Sequence, residues 1–209
     1  MFFNLLQGKD DKTMFGNLKV RTKLIILTTV AAISMCIMSI MNIGNMEKSY
    51  QQSVSSMKEV LYNDYDAQIK GQVENVITLL EKIYMEYQNG TYKEKEAKKL
   101  AKDMVRELRY GESGYFWIDT YEGDNVVLLG QEIEGTNRLE TKDSNGYQMI
   151  KDIIENGRKE NGGFTEYYYQ KENSTETYPK RAYSKAFDPW QWVVGTGNYV
   201  DELEDLAVE

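Results

Sequence analysis

Gly111-Glu112-Ser113-Gly114-Tyr115-Phe116-Trp117-Ile118-Asp119 is where the chain changes its period. Before it, apolar residues recur every three or four positions. After it, short apolar runs alternate between turn residues. These are the signatures of helix and of strand. The glycines and serine make a turn, and Tyr115–Asp119 reads as the first strand. Toward the C-terminus, Val126–Leu129 reads as a second strand, joined to the first by Glu122-Gly123-Asp124-Asn125. Residues 130–146 form a polar loop. Tyr147–Asn156, with Met149, Ile150, Ile153 and Ile154 on one side, is a short amphipathic helix. Gly162-Gly163 precedes a strand at Phe164–Tyr169, and a polar hairpin over 170–179 leads to Lys180–Phe187. Past Asp188-Pro189 comes Gln191–Gly197, and a helix restarts at Val200. Five short strands with hairpin-length links predict one antiparallel sheet covered on one face by helices, an α+β fold.

Toward the N-terminus the period is helical. Ala97, Leu100, Ala101, Met104, Val105 and Leu108 share one face of a helix that starts near Thr91, where Thr91-Tyr92-Lys93-Glu94 has the spacing of a capping box. Asn89-Gly90 stops the helix before it. That preceding stripe runs through Val54, Met57, Leu61, Tyr65, Ile69, Val73, Val76, Leu80, Tyr84 and Tyr87. A helix from Met46 would be about 60 Å long at ~1.5 Å per residue. This length exceeds what a small domain can cover, so the spacing predicts a homodimer through residues 46–87. Leu24–Ile43 has no charged residue and is long enough to cross a bilayer core as a helix. Lys19, Arg21 and Lys23 precede it, which predicts a cytoplasmic tail at 1–23, a membrane helix at 24–43 and an extracytoplasmic domain from 44 to 203. Residues 204–209 would begin a helix leading to a second membrane segment.

Composition removes several function classes. The net charge is −8; residues 1–43 contribute +3, leaving −11 on the remainder. An acidic body repels nucleic acid. There is no histidine, which removes the serine–histidine triad and His-ligated metals, and the single cysteine, Cys36, lies in the apolar run. No cofactor is implied. Asp119, Glu132, Glu134 and Asp143 read as solvated polar-loop residues rather than a glycosidase pair, because nothing fixes their separation. Asp143-Ser144-Asn145-Gly146 lacks the spacing of a calcium loop and reads as a turn. A tethered surface hydrolase and a structural stalk are the competing classes. The missing histidine weakens the first, and the aromatic-rich sheet the second.

Four blocks taken together resemble single-Cache sensor domains over about residues 105–203. Arg109-Tyr110-Gly111, with Gly114-Tyr115-Phe116-Trp117-Ile118, is similar to the family's first strand. Glu134-Gly135-Thr136-Asn137-Arg138 and Asp143-Ser144-Asn145-Gly146 resemble its middle loop, and Gly162-Gly163-Phe164-Thr165-Glu166-Tyr167-Tyr168 its third strand. Lys180-Arg181-Ala182-Tyr183 and the run from Pro189 to Asp201 resemble the last two strands. Where many relatives have His-Pro after the second strand, this chain has Leu128-Leu129-Gly130-Gln131. The resemblance implies a PAS-like five-stranded sheet on a long N-terminal helix. It also implies a non-enzymatic receptor in the bacterial cell membrane, most often a methyl-accepting chemotaxis protein. Its ligand would be a small organic acid, and its signal would reach cytoplasmic kinase-coupling proteins. A histidine kinase or nucleotide cyclase is the alternative output.

A small carboxylate needs a charge-assisted donor and neutral hydrogen-bonding groups in a partly apolar pocket. Arg109 ends a helix beside the first strand. Period two puts Tyr115 with Trp117 and Tyr167 with Tyr169; it puts Lys180 with Ala182, and Arg181 with Tyr183 on the other side. The candidate ligand-binding set is Arg109, Tyr115, Trp117, Tyr167, Tyr169, Lys180 and Tyr183. The site would lie between the sheet and residues 130–156.

Overall fold

The computed structural model describes residues 19–111, 113–171 and 174–201. Two compact units divide the chain, one ending at Ser53 and one beginning at Val54. A single helix, α1, is assigned from Val20 to Gln88, joining the two segments that the sequence presents separately. Its N-terminal stretch contains an apolar window long enough to cross a membrane, and the chain itself covers none of that window.

Within the second unit, α1 buries Tyr65, Ile69, Val73, Val76, Ile77, Leu80 and Ile83. Each fully buried aliphatic side chain contributes roughly 1.5–3 kcal/mol. From Tyr65 onward the heptad-like stripe is therefore used on the domain's own core. Met57 and Val60 stay exposed. Gly90, at φ +81°, ends the helix: its N–H donates to Tyr87 O, and Thr91 N–H to Glu86 O. The Thr91 hydroxyl donates to Glu86 at 2.8 Å, so Thr91 belongs to this stop and not to the next start. The second helix, α2 (Glu94–Glu107), is capped two residues later, by Lys93, whose N–H donates to Glu96 at 2.9 Å.

Among the described residues six strands follow: β1 (Arg109–Tyr110), β2 (Gly114–Thr120), β3 (Asn125–Leu128), β4 (Gly163–Gln170), β5 (Thr177–Phe187) and β6 (Trp192–Tyr199). All pairings are antiparallel, in the order β1-β2-β6-β5-β4, with β3 also on β2. The added strand is the two-residue β1. The helix α3 (Met149–Gly157) starts later than the pattern predicts, because Tyr147 N–H donates to Asp143 Oδ1 at 2.9 Å instead of entering the helix. The helix expected over 204–209 lies outside the described residues.

Helices cover both faces of the sheet, not one. On the first, α1 and α2 pack against Phe116, Ile118, Tyr183, Phe187, Trp192 and Val194. Arg181 fixes that contact by a bidentate pair with Asp66, at 2.7 Å to each oxygen. On the second face α3 lies close to β5 and β6. Ser184 Oγ donates to Ile153 O at 2.9 Å, and a Cβ on Gly157 would come within 2.5 Å of Val193.

The loop after β3 is held by Glu134. Its carboxylate takes Leu128 and Gly130 N–H at 2.8 and 2.9 Å and the Arg106 guanidinium at 2.7 Å. Burial opposes the charge, but Arg106 and the two N–H groups outweigh it and hold this acid at about 2. Its folded-state value lies below the ordinary one. The stabilisation is therefore complete above about pH 4.5 and lost as pH falls toward 2. We expect Glu134→Gln to remove up to about 3 kcal/mol of this acid-dependent stability. Urea unfolding at pH 6 and pH 3 checks it. Variant and parent should differ less at pH 3 than at pH 6, and an unchanged gap would refute the assignment.

Candidate functional site

Strand parity builds the site on the α3 side of the sheet. Tyr115, Trp117 and Asp119 of β2 point there, as do Lys180 and Ala182 of β5, and Tyr167 and Tyr169 of β4. Gly195 of β6 makes room for the Trp117 ring: a Cβ there would meet ring atoms at 2.5 Å. Leu128, Met149, Ile150 and Ile153 supply the apolar wall. With Tyr115, Trp117, Arg138, Tyr167 and Tyr169 they line a small cavity of about 10 Å³. Above it opens a cleft of about 880 Å³ with Arg109, Lys142 and Lys171 in its polar lining.

Arg138 is the buried cation of this cavity, 7% exposed. Its Nε and Nη2 donate to the two oxygens of Asp119, which is fully buried, at 2.6 and 2.5 Å. Burial works against the guanidinium, but the Asp119 carboxylate holds it protonated. Asn125 Nδ2 adds a third hydrogen bond to Asp119 at 3.0 Å. Nη1 of Arg138 makes no hydrogen bond among the described residues.

Lys180 is 1% exposed, and its Nζ donates to Tyr115 Oη at 2.7 Å. The rings of Tyr115, Trp117, Tyr169 and Tyr199 surround this nitrogen at 4.4 to 5.5 Å. Among the described residues no carboxylate pairs with it. Burial, and then the charge of Arg138, push the ammonium down to about 7. While Lys180 is protonated, Tyr115 accepts from it and has its own O–H left to donate. Trp117 Nε1 is likewise a buried donor with no acceptor among the described residues.

The structure brings five of the sequence-derived candidates together: Tyr115, Trp117, Tyr167, Tyr169 and Lys180. It does not bring in the other two. Tyr183 is on the opposite face, where its hydroxyl donates to Asn161 O and its ring packs on Phe164. Arg109 is exposed at the rim of the outer cleft, donating to Arg106 O and Leu108 O at 2.7 and 2.8 Å. It completes the end of α2, as a cation near a helix C-terminus does. Asp119 and Glu134 are not solvated, contrary to the polar-loop reading. Asp119 shares the parity of Tyr115 and Trp117, a signal that could have placed it inside. Asp143 does form a turn, accepting Asn145, Tyr147 and Tyr168 N–H at 2.8, 2.9 and 3.0 Å.

Known proteins share this architecture. The sensor histidine kinase MctS of Rhizobium johnstonii is 27% identical over 154 residues, 73% of this chain and 32% of that protein. This chain thus spans about a third of that relative's length. A periplasmic sensor domain of a chemotaxis protein superposes with a TM-score of 0.64 at 30% identity, covering 67% of this chain and 98% of that one. A Cache chemosensory domain solved to explain its carboxylic acid recognition gives a TM-score of 0.64 at 24% identity, over 68% and 98% of the two chains. The family described as Single Cache domain 2 matches residues 61–209, most of the chain, and the protein belongs to that family of sensor domains.

Proposed function

We propose that this domain is the extracytoplasmic sensor of a membrane receptor and that the cavity between its sheet and α3 binds a small carboxylate. One observation supports this most directly: Trp117 Nε1–H, Arg138 Nη1 and the Tyr115 hydroxyl are donors around one cavity, and the first is buried with no acceptor among the described residues. A buried donor left unpaired costs about 1–3 kcal/mol, which an anionic acceptor would recover. Recognition of carboxylic acids by a structurally similar Cache domain agrees with this reading. Lys19, Arg21 and Lys23 ahead of the apolar stretch support a cytoplasmic N-terminus.

Lys180 acts through Tyr115. Protonated, it leaves the tyrosine proton for the ligand; neutral, it can accept that proton and withdraw the donor. Acid binding therefore weakens as pH rises through about 7. A ligand signals only by binding two receptor states unequally. The route outward is short. The Tyr199 ring lies 5.1 Å from Lys180 Nζ and 5.0 Å from Lys171 Nζ, and Lys171 pairs with Asp201 at 2.9 Å, where helix has replaced strand β6. The receptor's output is control of chemotaxis. A histidine kinase output is the second reading, favoured by the kinase relative.

Calorimetry on the detergent-solubilised chain with acetate and propionate tests the site. Lys180 touches Tyr115 and not the ligand, so Lys180→Met is expected to remove the loss of affinity that the parent shows between pH 6 and pH 8. Arg109→Ala should stay within about threefold. The parent's pH dependence persisting in Lys180→Met, or no binding of either acid by the parent, would overturn the assignment.

A further inference from the structure

The inner cavity holds about one water, and the cleft outside it is far larger. Even acetate has several heavy atoms, so an acid can enter only if part of the wall yields. Three side chains line both spaces, so these stand where the two adjoin: Tyr115, Met149 and Tyr169. Two of them are tied. Tyr115 holds the Lys180 ammonium at 2.7 Å, and the Tyr169 ring stands edge-on to Tyr167 at 6.1 Å. Met149 is not. It is the first residue of α3 and is 4% exposed, and its unbranched thioether makes no hydrogen bond among the described residues. Methionine has three rotatable side-chain bonds and reshapes at low cost.

We infer that Met149 is the specificity-determining residue of this cavity: its side chain closes the path to the outer cleft and so limits the chain length of the acid that binds. This rests on the carboxylate reading of the site. With the carboxylate against Arg138 and Trp117, the tail of the acid runs toward Met149. A short tail fits once the thioether turns aside. A longer tail must displace it into the cleft, and the wall then no longer closes. Shortening residue 149 joins the two spaces and gives the tail somewhere to go.

The test is calorimetry on the detergent-solubilised chain with acetate, propionate, butyrate and pentanoate, for the parent, Met149→Ala, Met149→Val and Met149→Leu. In the parent and in Met149→Leu, affinity should fall at least tenfold between propionate and pentanoate. In Met149→Ala the fall should vanish or reverse, by up to about fourfold per methylene that finds apolar room. Met149→Val should behave the same way, less strongly, and serves if the alanine variant does not fold. If either shortened variant keeps the parent's chain-length profile while still binding acetate, Met149 is not the limit. If the parent binds none of the four acids, the carboxylate reading itself fails, and this inference falls with it.

Discussion

Asp119→Ala is expected to destabilise the domain by about 3–5 kcal/mol, the cost of leaving a buried charge without its partner. Arg138 would keep its guanidinium in a site only 7% exposed, with both Asp119 oxygens gone. Asn125 would lose an acceptor as well. Urea unfolding of the detergent-solubilised chain, followed by tryptophan fluorescence, measures this. All three tryptophans, at 117, 190 and 192, lie in the sensor unit, so the signal reports that unit alone. Replacing both partners, Asp119→Leu with Arg138→Leu, should recover much of the loss, because a well-packed apolar pair needs no counter-charge. The same double variant should not bind acid. A parent-like urea midpoint for Asp119→Ala would show that the pair is not needed for stability.

Lys180 should give the parent a stability that climbs with pH. Its folded-state value, about 7, is below the 10.5 it has when unfolded. Between these limits the unfolded chain binds one more proton than the native one, so raising the pH favours the native state. The slope is about 1.4 kcal/mol per pH unit, accumulating to roughly 4–5 kcal/mol over the whole window. Below pH 7 the penalty of a buried ammonium is present in full; toward pH 10 it disappears. Lys180→Met lacks the group and should show a flatter profile. Unfolding free energies of both proteins at pH 6, 7.5 and 9 check this through their difference, in which the other titrating groups cancel. A difference that does not change with pH would place the Lys180 titration outside that window.

Much of this was legible in the strands. Period two alone put Tyr115 with Trp117 and Lys180 with Ala182, and the register confirms each pair. The same parity set Tyr183 beside Arg181, so its inclusion with Lys180 contradicted the alternation that placed them both. Arg138 was harder to see. It sits in a stretch without helical or strand period, and its burial depends on Asp119, nineteen residues earlier in the sequence. No period along the chain encodes such a pairing, which exists only once the loop is closed over the sheet. The covering of both faces was illegible for a related reason. The stripe on α1 shows that one side of the helix is apolar, but not whether a sheet or a second chain will meet it. Thr91 satisfied the spacing of a cap, yet the hydroxyl was already taken by Glu86 across the Gly90 turn.

Lys180 and Arg181 are consecutive, and they face opposite ways. One enters the aromatic cage at the cavity; the other grips Asp66 of α1. A slip of one residue would exchange them, putting a guanidinium among four rings and an ammonium where a bidentate fork is needed. The middle of β5 can therefore lengthen or shorten only in steps of two. Two adjacent basic residues with unlike duties hold this strand to even-numbered change.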